Sequence, residues 1–141
     1  MAAEMIFKTL ALIMTALEGI RDLRTGGISP AAVACFAVPG ACFKGMTGEP
    51  LFTLLSGMIP GMILMGTAFV TRDKLGYGDG ILYLGIGLLV GLYLTLVILF
   101  VSLLLAGTTG MILMAFGKLR FKDSLPFGPF TAVACLGVIC I

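Results

Sequence analysis

The sequence predicts an all-α membrane protein, a bundle of six transmembrane helices. Of 141 residues, 60% are hydrophobic and only 11% are charged, and the mean hydropathy is +1.17. A soluble domain carries about 25% charged residues because it needs a wettable surface. The long apolar runs do not alternate with polar residues, which favours helices over barrel strands in hydrocarbon. This composition excludes a soluble enzyme, a disordered chain and a nucleic-acid-binding protein, so we expect membrane lipid and no nucleic acid as a partner.

Each apolar run is long enough to cross a hydrocarbon core about 30 Å thick. The runs are 2–20, 25–43, 51–71, 80–117 and 124–141. As one helix, the fourth run would be about 57 Å long, nearly twice the thickness of that core. We therefore predict that it divides near Gly91 into two helices, which gives six spans within a single domain, residues 1–141.

The basic residues support this division of the fourth run. With six helices, most of the nine Lys and Arg residues fall in three loops on one side of the membrane. These are Arg21, Arg24, Arg72, Lys74, Lys118, Arg120 and Lys122. Only Lys8 and Lys44 fall on the other side. If the fourth run formed one helix, the chain would have five helices and the basic residues would be spread almost evenly over the two sides. Because Lys and Arg mark cytoplasmic loops, we expect a multi-pass protein of the cell (inner, cytoplasmic) membrane with both termini outside.

We expect neither a metal nor a cofactor. The chain contains no His, which is the commonest metal ligand. Its four cysteines lie in apolar runs and form no Cys-x-x-Cys pair, in contrast to zinc sites. We interpret the cysteines and nearly all of the 20 glycines as small residues that pack between helices.

The candidate catalytic residues are Asp22 and Asp79. An ionisable residue at membrane depth is costly and indicates a functional site. The six-helix topology places Asp22 at the cytoplasmic end of the first helix and Asp79 at the cytoplasmic start of the fourth. Two carboxyl groups brought together share a proton, so that one activates water while the other protonates or polarises an amide. Taken singly, each aspartate has an alternative interpretation as a helix cap near the headgroups.

Other residues near these aspartates have two interpretations each. Gly76 and Gly78 precede Asp79 and leave room for an extended peptide beside it. Glu18 lies one helical turn before Asp22 and either modulates Asp22, pairs with a nearby base or lines wet space.

The two prolines near the last span also have two interpretations. Pro126 and Pro129 mark the start of the last helix, or they shape a groove for substrate.

Three segments resemble the signatures of the type IV prepilin peptidases, which are Gly-x-Gly-Asp intramembrane aspartic proteases. They are Asp22-Leu23-Arg24-Thr25, Gly76-Tyr77-Gly78-Asp79 and Leu125-Pro126-Phe127-Gly128-Pro129-Phe130. The resemblance covers essentially the whole chain. It implies an aspartic endopeptidase that removes the basic leader peptide from type IV prepilins or pseudopilins at the cytoplasmic membrane face. Its catalytic pair would be Asp22 and Asp79, with substrate bound near Gly76, Gly78, Pro126 and Gly128.

The chain differs from the family pattern at several points. Longer members also methylate the new N-terminus with S-adenosylmethionine and carry an N-terminal Cys-x-x-Cys region that is missing here, so the resemblance implies peptidase activity alone. Ile28-Ser29-Pro30 stands where the family often has Ile-Pro-Asn, and Ile81 stands where it usually has Lys.

Three alternatives remain at this point. A small proton- or cation-coupled transporter or channel subunit would use Asp22 and Asp79 as ligands, but it would place them near the bilayer midplane at broken helices. A non-catalytic scaffold of a secretion machine leaves the paired acids unexplained. A presenilin-like protease shares the Gly-x-Gly-Asp motif, but its first aspartate typically follows Tyr, where this chain has Arg21.

Overall fold

The computed structural model describes residues 1–71, 76–118, 120 and 125–141. Within these ranges the chain forms helices and turns and no strand, which confirms the all-α class. The helices are α1 (Ala2–Thr25), α2 (Pro30–Met46), α3 (Leu51–Gly57), α4 (Ile59–Val70), α5 (Tyr77–Val90), α6 (Leu92–Ala115) and α7 (Gly128–Cys140). Helices α3 and α4 join at Met58, whose backbone is itself in the right-handed helical region. They therefore correspond to one predicted span, and the six predicted helical runs are all present.

Two of these runs are long and apolar enough to cross a membrane. They are Leu51–Val70, which comprises α3 and α4, and Leu92–Ala115, which is α6. Large apolar side chains on α6, such as Phe100 and Met111, are exposed, as expected for a surface that faces lipid. Helices α2, α5 and α7 are apolar but shorter. Crossing of the membrane by all six runs stays a prediction.

The predicted break in the fourth run is confirmed at Gly91. Helix α5 ends at Val90 and α6 begins at Leu92. Between them Gly91 has a φ of 87°, a backbone conformation that favours glycine because it has no Cβ. The carbonyl of Gly91 accepts a hydrogen bond of 2.6 Å from the Thr95 hydroxyl. The turn therefore consists of a single residue.

Helix α5 is the central element of the bundle and contacts α1, α2, α3, α4 and α6. Its side chains at helical spacing are almost wholly buried, among them Leu82, Ile86 and Leu89. Small residues bring neighbouring backbones close: a Cβ on Gly87 would collide with the carbonyl of Gly57 on α3. The predicted packing role is thus correct for these glycines.

Not every glycine packs between helices. A Cβ on Gly66 or Gly107 would meet nothing within 4 Å. The same holds for seven further glycines, which are Gly26, Gly27, Gly45, Gly48, Gly91, Gly117 and Gly137. The prediction that nearly all of the 20 glycines pack between helices is therefore wrong, because these nine lie in turns or on open helix surfaces of this chain.

Three helix ends meet at one end of the bundle. The last turn of α1 carries Asp22, and the first residue of α7, Gly128, lies against it. The first turn of α5 lies beside the α1–α2 connection, where Gly78 contacts Ile28. The opposite end holds the N-terminal turns of α1 and the α5–α6 turn, since Ala3 and Gly91 line a common pocket.

Candidate active site

The carboxyl group of Asp22 is fixed between α1 and α7. The side chain is only 7% exposed, and its Oδ2 accepts a hydrogen bond of 2.9 Å from the backbone N–H of Gly128. Gly128 begins α7, so this N–H has no partner within its own helix. Helix α1 ends just beyond, at Gly26, whose φ is 68° and whose N–H bonds to the Asp22 carbonyl. The start of α7 therefore sets the orientation of the Asp22 side chain.

Small residues let α7 approach α1 this closely. A Cβ on Gly128 would lie 2.9 Å from both Cβ and Oδ2 of Asp22, nearer than ordinary contacts allow. One turn earlier on α1, Gly19 faces Ala132 and the Gly128 carbonyl. A Cβ on Gly19 would lie 3.2 Å from the Ala132 Cβ and from the Gly128 carbonyl oxygen. Further along the two helices, Thr15 of α1 and Cys135 of α7 are both fully buried. The absence of a side chain at Gly128 is therefore a condition for its hydrogen bond to Asp22.

Asp79 lies in the first turn of α5 and is partly buried. Its backbone N–H donates to the Gly76 carbonyl at 3.0 Å, which closes the turn that starts the helix. A Cβ on Gly76 would lie 2.8 Å from Asp79 Oδ2, and Gly76 itself is exposed. Its lack of a side chain leaves that side of the carboxyl group uncovered.

Gly78 has a different environment from Gly76. A Cβ on Gly78 would lie 2.9 Å from Cβ of Ile28, so its small size serves the contact between α5 and the α1–α2 connection. Gly78 was expected to leave room for a substrate peptide, but Ile28 of this chain already lies in that space. Contact of Gly78 with substrate stays a prediction.

The structure brings Asp22 and Asp79 together. Their carboxyl groups lie within range of direct electrostatic interaction, although they come from separate helices. Two carboxyl groups that interact in this way can act as an acid and a base. In the described part of the chain, no group of three or more His, Cys, Asp or Glu residues is placed to hold a metal ion.

Below the aspartates lies a buried hydroxyl cluster that sequence reasoning missed. Tyr83 follows Asp79 by one turn of α5 and is fully buried. Its hydroxyl is hydrogen-bonded to Ser102 of α6 at 2.5 Å and to Thr131 of α7 at 3.3 Å. The cluster links three helices beneath the site. The sequence feature that could have indicated this cluster is a Tyr four residues after Asp79, within an otherwise apolar run.

Glu18 forms a contact that differs from those expected. The side chain is only 2% exposed, so it does not line wet space. Its Oε2 accepts a hydrogen bond of 2.9 Å from the backbone N–H of Ser29, the residue that precedes α2. The partner is a backbone group rather than a basic side chain. Glu18 thus fixes the connection between α1 and α2.

The two prolines of the third segment lie at the start of the last helix, as predicted. Pro129 is in the first turn of α7, and Pro126 precedes the helix and is half-buried. Contact of Pro126 or Gly128 with substrate stays a prediction. Ile81 packs partly buried against the core.

The described basic residues near the site are solvent-facing. Arg21 and Arg24 are exposed at the end of α1. Arg72, Lys74 and Lys122, which the sequence places on the same side, lie outside the described residues.

Comparison with known proteins identifies the family. The sequence model of the type IV leader peptidase family matches residues 9–111, well over half of the chain. No curated protein and no solved structure matches it. The match includes Asp22 and Asp79 and ends before Gly128, the residue that the structure places against Asp22. This chain belongs to the type IV leader peptidase family.

Proposed function

We propose that this protein is an intramembrane aspartic endopeptidase that removes the basic leader from type IV prepilins or pseudopilins at the cytoplasmic membrane face. Asp22 and Asp79 are its catalytic residues. The observation that carries the proposal is that these two carboxyl groups lie near enough to interact electrostatically at one end of the bundle, in a chain of the type IV leader peptidase family. The transporter alternative is not favoured, since the family is one of peptidases.

The paired carboxyl groups supply the chemistry of amide hydrolysis. The ionised member takes a proton from a water molecule as the water oxygen attacks the scissile carbonyl carbon. The protonated member donates to the carbonyl oxygen, which yields a tetrahedral diol. The protonated member of the pair then donates its proton to the leaving nitrogen, while the ionised member takes a proton from one diol hydroxyl. The carbon–nitrogen bond breaks to give an amine and a carboxylic acid, and the pair again holds one proton. The Gly128 N–H holds the Asp22 carboxyl in one orientation throughout.

The substrate approaches from the side of Asp79 that Gly76 leaves uncovered. An extended peptide needs close access to the carboxyl group, and a side chain at Gly76 would block it. Pro126 lies beside the start of α7 and borders the same end of the bundle. The hydrophobic helix of the prepilin continues into the membrane, while its leader remains in the cytoplasm.

We also propose that residues 1–141 form one domain whose six helical runs all cross the cell membrane, with both termini outside. Supporting this orientation, exposed Arg21 and Arg24 lie at the aspartate end, and positive charge favours the cytoplasmic side. The first turn of α1 shares a pocket with Gly91 at the other end of the bundle, which supports an N-terminus on the opposite side of the membrane from the aspartates.

The test uses the protein with a prepilin that carries a basic leader, and it measures loss of the leader by gel mobility. Asp22→Asn and Asp79→Asn each retain the shape of the side chain and remove its acid–base function. We expect both to abolish cleavage while the protein remains in the membrane. Cleavage at the normal rate by either variant would overturn the proposal.

Glu18→Gln provides the matched control. Glu18 is also a buried carboxyl group on α1, and the amide oxygen of Gln can still accept the Ser29 N–H. We expect this variant to cleave the prepilin. Ion flux into vesicles that depends on Asp22 and Asp79, without any prepilin cleavage, would instead support the transporter alternative.

A further inference from the structure

A charged pocket lies at the end of the bundle opposite the aspartates. Its volume is about 280 Å³, and its lining includes Glu4, Lys8, Lys44 and Glu49. Glu4 and Asp22 lie on the same helix and are about 27 Å apart along its axis. The pocket is therefore separate from the candidate active site, and nothing in the proposed peptidase reaction uses it.

Lys44 is the deepest charge in this pocket. The residue is only 8% exposed, and its Nζ lies 5.8 Å from the ring centroid of Phe7. Among the described residues no carboxylate pairs with this ammonium group. Buried charges are normally paired, because removal from water is costly. The Lys44 ammonium group lines the pocket and so offers a positive charge to an anionic group that enters it.

An apolar groove adjoins the charged pocket. It lies between α1 and α2, has a volume of about 420 Å³, and is lined in part by Ile6, Leu10, Cys35 and Phe36. Phe7 lines both the groove and the charged pocket. The two cavities therefore adjoin at Phe7, with a charged pocket on one side and an apolar groove on the other.

The size of the groove distinguishes between possible occupants. One turn of α-helix, about 10 Å wide and 5.4 Å long, occupies about 400 Å³. The groove thus has room for little more than one turn, whereas an extended hydrocarbon chain can lie along it. An acyl chain fits better than the transmembrane helix of a protein.

We propose that the charged pocket and the groove together bind one phospholipid with a phosphoethanolamine headgroup. Its phosphate contacts the ammonium groups of Lys44 and Lys8, and its own ammonium contacts the exposed carboxylates of Glu4 and Glu49. One acyl chain lies in the groove. Two basic and two acidic residues complement a zwitterion better than an anionic headgroup, for which the carboxylates would be repulsive. The proposal rests on the membrane orientation proposed above and is independent of the catalytic roles of the aspartates.

The test measures lipid retention by the purified full chain in detergent, using native mass spectrometry. The probes are dioleoyl phosphatidylethanolamine, dioleoyl phosphatidylglycerol and inorganic phosphate, added separately. We expect one phosphatidylethanolamine to bind about tenfold more tightly than phosphatidylglycerol, and free phosphate to bind far more weakly because it lacks the acyl chain.

Matched pairs of variants test the two halves of the site. Lys44→Met keeps the length of the side chain and removes its charge, so we expect phosphatidylethanolamine affinity to fall about tenfold. Lys118→Met removes an exposed charge beyond the far end of α6 and serves as its control. Cys35→Phe fills the groove, whereas Cys42→Phe alters another exposed cysteine of α2 outside it. Helical content by circular dichroism is measured for each, and Lys8→Met replaces Lys44→Met if the latter does not fold.

The proposal is supported if the protein retains phosphatidylethanolamine preferentially and if Lys44→Met and Cys35→Phe weaken this retention. The control variants Lys118→Met and Cys42→Phe should leave it unchanged. Equal or tighter binding of phosphatidylglycerol or free phosphate overturns it, as does full retention by the folded Lys44→Met protein. It is also overturned if Cys35→Phe blocks prepilin cleavage and leaves lipid retention intact, because the groove then holds the substrate helix. Along their helices, Asp22 lies about 21 Å from Lys8 and Asp79 about 18 Å from Gly91, both of which line the charged pocket. Unchanged lipid retention by Asp22→Asn and Asp79→Asn therefore separates this proposal from the peptidase proposal.

Discussion

The contact between Gly128 and Asp22 can be tested by adding a single methyl group. In Gly128→Ala, the new Cβ would lie 2.9 Å from both Cβ and Oδ2 of Asp22, whereas ordinary contacts begin at 3.4 Å. Either α7 or the Asp22 side chain must therefore move by about half an ångström. Rotation of Asp22 away from the methyl group would also break its 2.9 Å hydrogen bond to the Gly128 N–H.

We expect Gly128→Ala to lower kcat for prepilin cleavage by about 10-fold to 100-fold. The estimate follows from the sensitivity of catalysis to displacements of reacting groups, for which about 1 Å costs roughly 100-fold. Crowding of a packed contact also destabilises a fold by about 1–3 kcal/mol. The assay therefore measures cleavage per folded molecule, with the folded fraction determined from circular dichroism at the assay temperature.

Gly137→Ala is the matched control on the same helix. A Cβ there would meet nothing within 4 Å, and replacing a glycine inside a helix by alanine is stabilising by about 0.5–1 kcal/mol. We expect normal cleavage and slightly higher thermal stability. A folded Gly128→Ala protein that cleaves at the normal rate would refute the role of Gly128 in positioning Asp22, and so would a loss explained entirely by unfolding.

Three further predictions concern stability and are checked by thermal unfolding monitored by circular dichroism. Tyr83→Phe removes the hydroxyl that links α5 to α6 and α7. The free energy of unfolding should fall by about 1–3 kcal/mol, because the buried hydroxyls of Ser102 and Thr131 lose a hydrogen-bond partner. An unchanged Tm would contradict this. Gly87→Ala should lower the Tm markedly because its methyl group meets the Gly57 carbonyl, whereas Gly66→Ala, with open space around it, should not. Glu18→Leu leaves the N–H that precedes α2 unpaired and should cost about 1–3 kcal/mol, while Glu18→Gln should be nearly neutral.

Several structural features were predictable because they depend on local sequence. The break at Gly91 follows from a run too long for one span, interrupted by a residue that tolerates positive φ. The sequence also predicts that Asp22 and Asp79 lie at the same end of the bundle. Asp22 lies at the end of the first span and Asp79 at the start of the fourth, and in a chain that crosses back and forth these two positions fall on the same side. Neither inference requires knowledge of which helices touch.

Other features depend on how the helices are rotated and packed, which no local pattern specifies. Gly78 was expected to leave space for a peptide, yet it lies against Ile28. Glu18 was expected to modulate Asp22, pair with a base or line wet space, yet it binds a backbone N–H across a turn. Each outcome depends on a neighbour whose position is set by the contacts of α5 or α2 with the rest of the bundle.

The sequence by itself determined the all-α class, the two candidate aspartates and the resemblance to a peptidase family, because length, hydropathy and short motifs are properties of contiguous residues. Only the tertiary structure decided that the first N–H of α7 holds Asp22 and that Lys44 lies buried in a pocket next to an apolar groove. The physical reason is that both arrangements join residues distant along the chain. Their distances are fixed by side-chain packing between helices, which becomes defined only once the whole bundle is assembled.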